Sequence, residues 1–223
     1  VQGLVANGVA LSDAVLATDQ IMADTEIPSE LAVEIGGSYE DQQDMFGDLI
    51  LLLFMIVILV YIVMASQFES FMSPFVIMFS IPFAFVGVLL GLWVTGTPLG
   101  AMGMIGILIL MGVVVKNGIV LIDYTILMRE RGKSVAEASV IAAKSRLRPI
   151  LMTTLTTVLG MIPMAIGQGE GSEMWRSLGM VVAWGLSIST LVTLVIIPTV
   201  YASMASWQER RAAKKAAKKL AKA

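Results

Sequence analysis

Five stretches of this 223-residue chain are apolar over enough consecutive positions to cross about 30 Å of hydrocarbon: roughly Leu49 to Ala65, Pro74 to Thr95, Leu99 to Met128, Ile150 to Gly167, and Ser177 to Ala205. Lipid offers no water to an unpaired N–H or C=O, so runs of this length must be helical. The fold class expected is mainly α, a polytopic membrane protein with five transmembrane helices. A hydrophobic content of 57% and a mean hydropathy of +0.85 agree with lipid as the main solvent. The chain opens on Val1 and shows no basic-then-apolar leader, which reads as part of a longer protein.

The net charge of -2 conceals a segregation along the chain. Residues 1–48 carry ten of the seventeen acids and no Lys or Arg, six of the fifteen basic residues lie between Arg129 and Arg148, and seven more follow Trp207. Five crossings put the two ends on opposite sides. The positive-inside rule then assigns the 129–148 loop and the tail over 207–223 to the cytoplasm, with residues 1–48 outside. This is sidedness rather than a nucleic-acid footprint, and no nucleic-acid partner is expected. Trp93, Trp175 and Trp207 fall near expected helix ends, where they serve as interfacial anchors or as packing.

In the outer segment Leu11, Val15, Thr18 and Met22 share a helical face, and Leu31, Val33 and Ile35 alternate as in a strand. One helix and one strand cannot close a core, so residues 1–48 are expected to complete an external α+β domain built from other sequence. Between the third and fourth spans, Val135, Ala138, Ile141 and Ala142 recur opposite Lys133, Glu137 and Lys144. That spacing predicts a short amphipathic helix near 133–145 at the cytoplasmic surface.

With no Cys and no His, disulfides, thiolates and imidazole metal sites are excluded, and no cofactor is expected. The sixteen Met are scattered, which suits apolar filler better than a soft-metal relay. Asp123 is the single well-placed intramembrane carboxylate, whereas aspartyl proteolysis needs two; an enzyme is not expected.

The run "GVVVKNGIVLIDY" places Lys116 in the middle of the third span. A charge there costs roughly 2.5–3.5 kcal/mol on insertion scales, so it should face protein and find a partner. Asp123 lies about 10 Å further along the same helix, too far for a comfortable pair. Snorkelling fails because the side chain cannot reach either headgroup layer from mid-helix. The counter-charge is therefore expected from a helix outside this chain. Asn117 adds donors and acceptors beside Lys116, and in "RLRPILMTTLTT" Arg146 lies seven residues before Thr153. Arg146, with Arg148, is either a topological anchor or part of a polar route toward Lys116. Thr153 either extends that route or bonds its own backbone carbonyl. Gly87 and Gly91, and Gly100, Gly103, Gly106, Gly112 and Gly118, permit close helix approach or a hinge.

"MASQFESFMSPFVIMFSIPFAFVG", "GVVVKNGIVLIDY" and "RLRPILMTTLTTVLGMIPMAIG" together resemble the C-terminal half of resistance-nodulation-division (RND) efflux pumps, in their hydrophobe/amphiphile multidrug branch. The resemblance covers roughly residues 12–205. It implies that 1–48 end a periplasmic porter domain, of which a helix and a strand remain, that 49–206 hold the eighth to twelfth transmembrane helices, and that 207–223 form a basic cytoplasmic tail. It also implies a homotrimer in the bacterial inner membrane that exports hydrophobic or amphiphilic drugs against proton influx, through a periplasmic adaptor protein and an outer-membrane channel. Lys116, Asn117, Arg146 and Thr153 match the family's proton-relay positions. The family's aspartate pair lies in the N-terminal half of the pump and has no counterpart here, which agrees with the carboxylate missing around Lys116. A non-transporting module that pairs with another half, and a metal-exporting RND relative, are the alternatives.

Overall fold

The computed structural model describes residues 11–25, 38–167 and 172–220, and these form seven helices with no strand among them. Residues 1–52 and 53–223 form two compact units, the boundary falling inside a helix. In the first unit, α1 (Leu11–Asp24) is the helix that the apolar spacing predicts. Val15 is buried and Met22 partly so, but Thr18 is exposed and its hydroxyl donates to the Ala14 carbonyl at 2.8 Å. The strand expected over Leu31 to Ile35 lies outside the described residues.

The other helices are α2 (Ser38–Phe68), α3 (Met72–Met78), α4 (Ser80–Thr95), α5 (Ala101–Glu130), α6 (Val135–Ile166) and α7 (Ser172–Leu220). They supply five segments long and apolar enough to cross a membrane, with α3 and α4 together making one of them. Most expected boundaries differ in one direction: the helices run on beyond their apolar stretches. α2 starts at Ser38 rather than near Leu49, and α7, with 49 residues, continues through the basic tail. Once an apolar segment has nucleated a helix, each further polar residue adds one hydrogen bond at little cost, so the helix propagates into water. At 1.5 Å per residue α7 is about 70 Å long, more than twice the hydrocarbon thickness.

The stretch expected as a separate amphipathic helix near 133–145 is continuous with the fourth span as α6. Ser134 opens it with a capping box: its hydroxyl accepts from the Glu137 N–H, and the Glu137 carboxylate accepts from the Ser134 N–H, each at 3.3 Å. Pro149 lies inside the helix. It removes one backbone bond, and the turns on either side hold the helix together across it. The second span is interrupted at one residue, Phe79 between α3 and α4, whose backbone stays right-handed helical and whose N–H donates to the Phe75 and Val76 carbonyls at 3.3 Å. Pro82 has no N–H to offer the carbonyl four residues earlier, which leaves the ladder one bond short there.

In the second unit α7 is the central helix, packed along α4, α5 and α6, and α5 also meets α3, α4 and α6. Val76, Ile77, Leu121, Ile122 and Ile197 are completely or almost completely buried where α3, α5 and α7 converge. Lipid tails are as apolar as these side chains, so close approach rather than hydrophobicity holds the helices together. The glycines supply it. A Cβ on Gly87 would meet the Gly185 Cα and the Trp184 carbonyl at 3.1 Å, one on Gly91 would meet the Trp184 side chain at 2.5 Å, and one on Gly106 would meet Val181 at 3.2 Å. Gly100 and Gly112 face open space. α2 is the least buried span; the buried Met64 and the half-buried Leu53, Val57 and Val60 pack it against the core shared by α3, α5 and α7.

Beyond the membrane-length apolar core, Arg129 at the end of α5 ties down α7 by donating to the Tyr201 hydroxyl at 3.2 Å and the Glu209 carboxylate at 2.7 Å. Both partners of the ion pair are substantially exposed, so water screens it and its contribution is about 0–1 kcal/mol.

A polar cleft between the third and fourth spans

On α5, Val113, Lys116 and Asn117 fall at i, i+3 and i+4, which places them on one helical face. On α6, Pro149, Met152, Thr153, Thr156 and Thr157 repeat the same pattern over two turns. The two faces, joined by Thr154, line an open cleft of about 500 Å³. Lys116 lies near the midpoint of α5 and is exposed, directed away from the packed core, while Asn117 beside it is buried. No lining residue of this cleft is acidic. Among the described residues Lys116 has neither a hydrogen bond nor an ion pair, and Asp123 is exposed and equally unpaired.

Three of the four site residues expected from sequence, Lys116, Asn117 and Thr153, therefore share one cleft. Arg146 stands apart, roughly two turns away along α6. Its guanidinium carbon lies 4.6 Å from the centroid of the Tyr124 ring on α5, and its buried Nε has no hydrogen-bond partner among the described residues. Stacking a cation on an aromatic face contributes about 0.5–2 kcal/mol. Tyr124 was not legible as a partner, although its aromatic ring near the basic end of the span was the available signal. Of the two roles open to Thr153, the backbone bond is formed: its hydroxyl donates toward the Ile150 carbonyl at 2.9 Å and the Pro149 carbonyl at 3.1 Å. The oxygen keeps acceptor capacity on the cleft wall.

Behind the cleft a second polar layer joins α6 to α7. The hydroxyls of Thr154 and Thr190 are 3.1 Å apart in a buried hydrogen bond, and the buried hydroxyls of Ser189 and Thr193 have no partner among the described residues. The signal for Thr190 was the polar cluster Ser187, Ser189, Thr190 and Thr193 in an otherwise apolar span. A Thr154→Val, Thr190→Val double-mutant cycle is expected to give a coupling of about 0.6 kcal/mol, and no more than about 1.7, from thermal unfolding of the full-length protein in detergent. A coupling of zero would mean that the two hydroxyls do not stabilise the α6–α7 contact.

Comparison with known proteins places these residues in context. The family model described as "AcrB/AcrD/AcrF family" matches residues 1–205. The swarming motility protein SwrC of Bacillus subtilis (strain 168) is 40% identical over 185 residues, which are 82% of this chain and 18% of that protein. The multidrug resistance protein MdtC of Proteus mirabilis (strain HI4320) is 35% identical over 218 residues, 96% of this chain and 21% of that protein. A crystal structure of a heavy metal efflux pump (crystal form II) superposes with a TM-score of 0.76 at 34% identity, covering 90% of this chain and 20% of that one; crystal form I gives 0.74 at 31%. The chain thus spans about a fifth of the length of these relatives. Five membrane-length helices, a lysine at mid-span and a family match over nearly the whole chain lead to one assignment: this multi-pass membrane chain belongs to the AcrB/AcrD/AcrF family of RND transporters, a family of carriers and not of enzymes.

Proposed function

We propose that the chain is the C-terminal part of a proton-driven multidrug exporter and carries the lysine, arginine and threonine side of its proton relay. The observation that supports this most is the Lys116 ammonium, which opens at mid-span into a cleft with hydroxyl and amide walls and no anion. An ammonium left in that position needs a carboxylate, and the carboxylates would come from the N-terminal half of the pump. While they are ionised, Lys116 pairs with them. A proton that binds there removes their charge, the pair loosens, and the helices holding the two sides are free to shift. Asn117 sets an amide beside the ammonium, Thr153 offers an oxygen to water in the cleft, and Arg146, held on Tyr124, marks the cytoplasmic entrance.

In this reading residues 1–48 end a periplasmic porter domain, 49–206 are the last five transmembrane helices and 207–223 are a cytoplasmic tail. The assembly is a homotrimer in the inner membrane, with a periplasmic adaptor protein and an outer-membrane channel as partners and hydrophobic or amphiphilic drugs as cargo. A heavy-metal cargo is the second reading, favoured by the superposition on a heavy metal efflux pump. Full-length protein in proteoliposomes under an imposed pH gradient separates the two. Gradient-dependent movement of an amphiphilic dye, without movement of Zn²⁺ or Cu⁺, is expected. Metal movement without dye movement would establish the second reading, and neither would contradict export altogether.

A further inference from the structure

Residues of α2, α3, α7 and the loop after α2 enclose an open groove of about 440 Å³ lined by Tyr61, Phe71, Phe75, Met204 and Trp207, among others. It has the volume of a small-molecule site, about 300–1,000 Å³. The loop after α2 is braced over it: the Tyr61 hydroxyl donates to the Phe71 carbonyl at 3.3 Å. Phe71 and Trp207 are themselves largely exposed, so the groove opens outward rather than into the core.

The rim of this apolar groove is basic. The Arg211 guanidinium lies 3.5 Å from the centroid of the Trp207 ring, which fixes a cation directly over the groove wall. Arg210, Arg211 and Lys214 are exposed and have no ion pair among the described residues. Glu209 is already neutralised by Arg129, and Glu69 adjoins the groove residue Ser70. Three cations against one anion leave the rim net positive.

We infer that this groove binds an anionic phospholipid, with an acyl chain against Phe71, Phe75 and Met204 and the phosphate at Arg211. An exposed aromatic trough suits an acyl chain, and a stacked arginine beside it suits a phosphate; basic pockets between transmembrane helices hold anionic headgroups in this way. The inference needs only that the helices span a membrane, and it is independent of the transport reading because lipid retention is read without export.

The test is native mass spectrometry of the full-length protein titrated with phosphatidylglycerol or with phosphatidylcholine of the same acyl chains. Phosphatidylglycerol should bind more tightly. Arg211→Gln should weaken it about fivefold, the weight of one basic residue at a membrane surface, Lys214→Gln less than about twofold, and neither should change phosphatidylcholine retention. No preference for phosphatidylglycerol, or equal losses in the two variants, would overturn the inference, the latter by showing diffuse attraction to the tail. A nitroxide on Phe71→Cys in lipid nanodiscs should be readily relaxed by oxygen. Shielding from oxygen would mean that another protein segment fills the groove, and would overturn it as well.

Discussion

Lys116→Met in the full-length protein is expected to abolish proton-driven export, by about 100-fold or more, while the variant still folds and assembles. Breaking a buried ion pair from one side costs about 3–5 kcal/mol, and each 1.36 kcal/mol is tenfold in rate, so loss of the switch exceeds two orders of magnitude. Folding should survive because Lys116 contributes nothing to the packed core of this chain, and Met removes the cost of a charge at mid-span. The carboxylates left behind can take up protons and stay neutral. Lys116→Arg keeps a cation but replaces a compact ammonium by a planar fork, so partial export is expected. Dye efflux under an imposed pH gradient, with size-exclusion chromatography as the control for assembly, measures both. Export at the wild-type rate in Lys116→Met would remove Lys116 from the mechanism.

Gly179→Val is expected to damage folding rather than transport chemistry. A Cβ at Gly179 would sit 2.7 Å from the backbone nitrogen of Ala165 and 3.1 Å from both the Ala165 Cα and the Met161 carbonyl oxygen. All three atoms belong to α6, and all are backbone, so no rotamer change relieves the overlap and the whole helix must move. Overpacking of this kind costs about 1–3 kcal/mol, and more where the neighbour cannot yield. A lowered thermal midpoint and a reduced monodisperse fraction are expected, smaller for Gly179→Ala than for Gly179→Val. Ala165→Gly should not rescue the variant, because it removes a side chain and the obstruction is the main chain. An unchanged midpoint in Gly179→Val would show that α6 and α7 are not in close contact there.

The five spans were legible because lipid permits one solution for a long apolar run, and the same rule locates Lys116 as an anomaly without any structure. The ends of the helices were not. Ser38 to Asp48 and the tail after Trp207 are polar, and polarity marks where a helix leaves lipid, not where it stops. Lys116, Asn117 and Thr153 line one cleft because α5 and α6 are joined by only residues 131–134, a link shorter than the 129–148 loop expected from sequence. Spacing puts Arg146 in line with Thr153, but only the rotation of α6 against α5 decides that its guanidinium meets the Tyr124 ring. Thr190 was hidden for the same reason, since a hydrogen bond between helices depends on relative rotation and no single-helix period encodes it.

In the proposed relay the charge of Lys116 is balanced from outside these five spans. An electron cryomicroscopy map of the full-length protein in a lipid nanodisc, sharp enough to place side chains in the membrane, tests it directly. The Lys116 Nζ is expected within about 4 Å of a carboxylate contributed by a helix other than α2 to α7. An ammonium in contact with bulk water, or bonded only to oxygens of α5 and α6, would contradict it.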